Sequence, residues 1–255
     1  MEYLVDLLYL CPLLLTAGIL DGIAGGGGII ALPAYLLTGM PVHSAYACNK
    51  LQSALGTACS AGKYIRSGLA DIKTALIALP FTVAASMLAT RLVLHLDGET
   101  VKLIIAVCIP IAAAAMFARR KLVKKTVTRV SLSVKTVLLC VVSGSILGGY
   151  DALFGPGGGT IAMILFSLLM NYDLRVGCGN GKIIIVTSNI TAVLHYILGG
   201  HMIWHVALPC AAANMLGSWL GAAIAVKKGE RVVLPAMLAV LGFLVIQTVL
   251  QVFLQ

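Results

Sequence analysis

A chain of 255 residues that is 60% hydrophobic and only 11% charged cannot clothe a water-soluble surface, which takes about 25% charged residues. The formal charge of +9 does not point to nucleic acid either, because the basic residues fall in short loops between apolar runs, the positive-inside pattern of membrane proteins. Composition excludes a soluble enzyme and leaves an all-α integral membrane protein in contact with the lipid bilayer.

Apolar runs cover residues 3 to 38, 43 to 65, 74 to 96, 101 to 118, 135 to 171, 176 to 198, 203 to 226 and 232 to 254, eight hydrophobic segments in all. The first and fifth are too long for one crossing, which takes about 20 residues. Both are interrupted by glycine, as Gly25-Gly26-Gly27-Gly28 and as Gly155-Pro156-Gly157-Gly158-Gly159. Glu2 and Asp6 stand where a cleavable signal would carry Lys or Arg, which argues against one.

The chain also resembles itself. Asp21 and Asp151, Gly25 and Gly155, Gly27 and Gly157, and Gly28 and Gly158 are each 130 residues apart, while Lys50 and Lys182, Tyr64 and Tyr196, and Gly68 and Gly200 are 132 apart. This order predicts two transmembrane repeats, residues 1–118 and 136–255, joined by a basic linker, 119–135. If the two broken runs are hairpins that return to the side they came from, then the linker, Lys63, Arg66, Lys73, Arg175, Lys227, Lys228 and Arg231 share one face. By the charge rule that face is the cytoplasm. An odd number of crossings per half then makes the repeats inverted, each beginning with a glycine-broken segment, an arrangement typical of transporters.

Backbone that leaves helical geometry at membrane depth must be shielded from lipid, because unpaired amides there cost several kcal/mol each. The glycines 25, 26, 27 and 28, and 157, 158 and 159, therefore mark a protected place where half-helix N-termini and their partial positive charge can meet an anion. The bland alternative is close helix packing, which GxxxG spacing at Gly18 to Gly22, Gly144 to Gly148 and Gly217 to Gly221 also suggests. The last of these offers a face for a homodimer. Lys50 and Lys182 are the two lysines deep inside apolar runs. Each either meets a substrate anion or snorkels to an interface. Asn49, Gln52, Ser188 and Asn189 add uncharged donors. Asp21 and Asp151 either carry coupling protons or cap the broken helices. His195 reads as an interior histidine, and His43, His95, His201 and His205 carry no assignment.

The seven cysteines show no CxxC or Cys/His ligand spacing, so no metal, disulfide framework or cofactor is expected. Gly177-Cys178-Gly179-Asn180-Gly181-Lys182 imitates a phosphate loop. Its glycines are one residue too close and Ile183 replaces the hydroxyl residue that would hold magnesium. HExxH and GxSxG are absent, so no enzyme motif is present.

Gly22 with Gly25–Gly28, Pro33, Gly39-Met40-Pro41, Ala45, Asn49-Lys50-Leu51, Tyr64 and Gly68 resemble the first half of the TauE/SafE-type sulfite exporter family. Gly155-Pro156-Gly157-Gly158-Gly159, Gly181-Lys182, Ser188-Asn189, Tyr196, Gly199-Gly200 and Trp204 resemble its second half. Cys48 and Gly181 depart from it, since hydroxyl residues are usual there. The resemblance implies a multi-pass permease of the cytoplasmic membrane for sulfite or a sulfur-containing organic anion, with Asn49, Lys50, Lys182 and Asn189 as binding positions.

These readings combine into an alternating-access secondary transporter for a small oxyanion. The competing readings are a cation transporter that uses Asp21 and Asp151 with glycine-run carbonyls, and a pore-forming channel.

Overall fold

The computed structural model describes residues 6–97, 100, 130–229, 231–240 and 242. The run expected at 101–118 and most of the linker, 119–129, lie outside the described residues. The described chain forms helices and no β-strand: α1 (Leu7–Ala24), α2 (Gly28–Leu36), α3 (Val42–Arg66), α4 (Ile72–His95), α5 (Val134–Leu153), α6 (Gly158–Met170), α7 (Leu174–Leu198), α8 (Trp204–Lys228) and α9 (Arg231–Val240).

Five of these, α1, α4, α5, α7 and α8, are long and apolar enough to cross a membrane. Helix α3 is as long as α7 and α8 at 25 residues but too polar to qualify by composition, which corrects its reading as an apolar run. Its polar side chains point inward: Asn49, Lys50, Gln52, Thr57 and Ser60 are all buried. Outside, large apolar residues such as Leu88, Leu92, Leu138, Leu208 and Leu216 are more than half exposed. A polar interior under an apolar coat is what a lipid solvent selects.

The small residues explain how the helices approach. A Cβ at Gly217 or Gly221 of α8 would lie 2.1 Å from the carbonyl oxygen of Leu15 or Ile19 of α1, and Gly18 and Gly22 of α1 meet the α8 backbone in return. Gly144 and Gly148 of α5 abut Ala78 and Thr82 of α4 in the same way. The Gly217 to Gly221 face is thus occupied inside the protomer by α1, and a homodimer would have to form through another face.

Helix α1 stops at Ala24, where Gly25 adopts φ +76° and its N–H bonds to the Asp21 carbonyl. Helix α5 stops at Leu153, and Gly155 adopts φ +77°. Left-handed backbone of this kind suits glycine because a side chain would clash. The chain resumes as α2 at Gly28 and as α6 at Gly158.

Helices α3 and α7 pack against each other through the middle of the molecule. The Ser53 hydroxyl accepts a hydrogen bond from Asn189 Nδ2 at 3.1 Å, Tyr64 lies beside Cys178, and Tyr46 lies within electrostatic reach of Tyr196. The residue numbers in each pair add up to 242, the mark of two antiparallel helices in constant register.

Candidate functional site

The two breaks touch. The Thr160 N–H, in the first turn of α6, bonds to the Gly25 carbonyl at 3.2 Å, and its hydroxyl bonds to the Ala24 carbonyl at 2.7 Å. A Cβ on Gly25 would fall 2.4 Å from the carbonyl carbon of Gly159. Carbonyls left over at the end of α1 are therefore satisfied by the start of α6, and the unwound stretches lie backbone to backbone.

Beside this junction is a small cavity lined by Asp21, Gly25, Gly28, Asn49, Lys50, Ser53, Asp151, Gly155, Gly159, Ile185 and Asn189. It has about 10 Å³ for the centre of a water-sized sphere, room for roughly one water. Gly28 and Gly159 lie in the first turns of α2 and α6, where amides have no intrahelical acceptor.

Both lysines are buried, each 1% exposed, and neither snorkels. Lys50 Nζ donates to Asp151 Oδ2 at 3.0 Å and to the Asp151 carbonyl. Lys182 Nζ donates to Asp21 Oδ2 at 3.1 Å and to the Asp21 carbonyl at 2.6 Å. Each lysine thus reaches an aspartate from the opposite half of the chain. Thr57 Oγ1 also donates to Asp21 Oδ2, at 3.1 Å. Neither carboxylate caps a helix. Two lysines and two aspartates cancel formally, so the lysines bring no uncompensated charge to the cavity. Sequence pattern showed the lysines and the aspartates but not that they neutralise one another.

Among the expected binding residues, Gly25, Gly28, Asn49, Lys50, Gly159 and Asn189 line the cavity, together with Asp21 and Asp151. The others lie around it. Gly26 faces the Val240 side chain of α9, Gly27 packs on the Ala17 carbonyl, and Gly157 is the left-handed residue before α6. Gly158 lies against the Asp151 carboxylate, Lys182 sits behind Asp21, and Ser188 donates to the Gly148 carbonyl at 3.3 Å. Asn49 Oδ1 accepts from Gln52 Nε2 at 3.0 Å. Asn189 Oδ1 is buried with no hydrogen-bond partner among the described residues.

Ser53 and Ile185 line the cavity without having been expected there, and Gly155 lines it as part of the second glycine run. Helical periodicity held the signal for the first two, since Ser53 follows Lys50 by three residues, as Ile185 follows Lys182, and such residues share a face.

The family model for Sulfite exporter TauE/SafE matches residues 10–248 of this chain. The chain belongs to the TauE/SafE sulfite exporter family. It is 28% identical over 248 residues to the probable membrane transporter protein YfcA of Escherichia coli K12, covering 94% of this chain and 91% of the relative. It is 32% identical over 231 residues to a probable membrane transporter protein of Haemophilus influenzae (90% and 88%), and 30% identical over 226 residues to the probable membrane transporter protein ORF9 of a Sinorhizobium species (88% and 85%). No solved structure matches it significantly. A TauE/SafE membrane transporter with several apolar helices accounts for the polar interior and the apolar coat described above.

Proposed function

We propose that this TauE/SafE transporter carries a small oxyanion, sulfite or a sulfur-containing organic anion, across the cytoplasmic membrane by alternating access between two inverted repeats. The repeats are 1–118 and 136–255, and the basic face with the linker lies in the cytoplasm. The observation that carries this reading is the small cavity in which the Lys50 ammonium, the Asn49 side chain and the first turns of α2 and α6 converge. These supply charge and hydrogen bonds suited to an oxyanion.

The cross-pairing suggests how binding drives the cycle. An anion takes the place of the Asp151 carboxylate on Lys50, and the released aspartate, shut away from water, takes up a proton. Asp21 is the equivalent group on Lys182. Because each pair joins the two halves, exchanging its counter-ion loosens one repeat from the other. The family name supports the sulfur label, and the polar lining supports the broader one.

A cation transporter using Asp21 and Asp151 is disfavoured, because a metal ion or sodium would have to expel a buried ammonium from either carboxylate. The test is flux in proteoliposomes with the doubly neutral variant Lys50→Met with Asp151→Asn, which removes both charges and leaves neither partner unpaired. Sulfite transport should fall to background while thermal stability stays near that of the parent. Retained anion flux, or cation flux that survives both changes, would reject the reading.

A further inference from the structure

The two ends of the α3–α7 pair carry matched residues in unequal circumstances. Tyr64 and Tyr196 correspond at the 132-residue spacing, and so do Tyr46 and Cys178. At the Tyr64 end, the hydroxyl donates to the Gly22 carbonyl at 3.2 Å, and the Cys178 thiol donates to the Ile23 carbonyl at 3.7 Å. The end is tied to the last turn of α1. At the other end, Tyr46 and Tyr196 are fully buried and neither hydroxyl has a hydrogen-bond partner among the described residues. The carbonyls equivalent to those of Gly22 and Ile23 belong to Ala152 and Leu153, yet these hydroxyls do not bond to them.

A buried hydroxyl left unpaired costs about 1–3 kcal/mol, so this end is closed against an electrostatic penalty that the other end escapes. Tyr46 precedes Lys50 by one helical turn, and Tyr196 follows Asn189 by two. Both tyrosines thus lie one to two turns beyond cavity-lining residues, toward the start of α3 and the end of α7. Over them sit His43 and His201, whose rings are 5.3 Å apart, with His201 edge-on to Tyr196 at 6.3 Å. The Nδ1 atom of His43 is also buried and unpaired among the described residues.

We propose that Tyr46 and Tyr196 form a second oxyanion subsite on the path between the Lys50 cavity and the His43–His201 end, where their hydroxyls donate to the anion as it enters or leaves. Closure at this end leaves the hydroxyls without acceptors, and an arriving oxyanion supplies them. The Tyr64 end has acceptors of its own and stays latched while the Tyr46 end admits the ligand. This inference rests on the oxyanion reading above and adds to it a place of first contact and the face through which that contact is made.

The experiment compares Tyr46→Phe, Tyr196→Phe and Tyr64→Phe in the full-length protein, measuring sulfite transport in proteoliposomes and thermal unfolding in detergent. The first two should each raise the KM for sulfite about fivefold, the worth of one hydrogen bond, with Tm equal to or above that of the parent. Tyr64→Phe should lower Tm. An unchanged KM for Tyr46→Phe and Tyr196→Phe overturns the subsite. So does a fall in Tm in these two matching that of Tyr64→Phe, since their hydroxyls would then hold the fold together. If the unaltered protein moves no anion, the oxyanion reading itself fails and the subsite falls with it; transport that persists with KM unmoved overturns the subsite alone.

Discussion

Lys182 Nζ lies 2.6 Å from the carbonyl oxygen and 3.1 Å from the carboxylate of Asp21, a residue 161 positions earlier in the chain. A single aspartate thus holds the ammonium through both its backbone and its side chain. Lys50 is held by Asp151 in the same two-point way, so the two halves are fastened to each other twice by charge.

Removing one member of such a pair leaves an uncompensated charge in the interior. Lys182→Met should destabilise the protein by about 3–5 kcal/mol, and adding Asp21→Asn should recover most of that loss. A double-mutant cycle on thermal unfolding in detergent measures the coupling. Additive losses would mean that the pair contributes nothing as a pair.

The contact between the breaks depends on the absence of side chains at Gly25. Gly25→Ala places a methyl group 2.4 Å from Gly159 and strains a residue at φ +76°. The conformational penalty is about 1–2 kcal/mol, and forced overpacking adds about 1–3 kcal/mol. Yield and Tm should both drop. Gly39→Ala has the same positive φ but no neighbour within 4 Å, so its cost should be confined to the conformational part.

At the α1–α8 seam, Gly221→Val should separate the two helices, since even a Cβ would meet the Ile19 carbonyl oxygen at 2.1 Å. Lower Tm without a change in oligomeric state is the expected outcome, read by thermal unfolding together with size-exclusion light scattering. Gly62→Ala, where nothing lies within 4 Å, serves as the harmless control.

His201, in the turn between α7 and α8, has its pKa lowered, first by burial and then by the neighbouring His43. A histidine held neutral by folding binds its proton more readily when unfolded, so its contribution is intact above the ordinary value of about 6.5. That contribution is lost as pH falls from there toward the folded value. Thermal stability scanned from pH 8 to pH 5 should decline below pH 6.5, and His201→Gln should decline less.

Much of the site was legible because bilayers penalise what soluble proteins tolerate. Lys50 and Lys182 stood out as charges inside apolar runs, and Gly25 and Gly155 as breaks in segments too long to cross once. The Gly217 to Gly221 spacing showed that a helix would come close, although not that the helix would be α1 of the same chain. Ser53 gave no warning on its own, because a serine in a helix is ordinary until a neighbouring lysine defines the face.

Sequence alone determined that the chain is a helical membrane protein, and it displayed the two glycine runs and the lysine and aspartate that recur in each half. Those features follow from composition and spacing, which local physics reads directly. Only the tertiary structure decided which aspartate each lysine meets, that the breaks lie in contact, and which tyrosines find an acceptor. Those outcomes depend on the antiparallel register of α3 and α7 and on the seating of α1 and α6, and no local pattern encodes relationships between groups 42 to 161 residues apart.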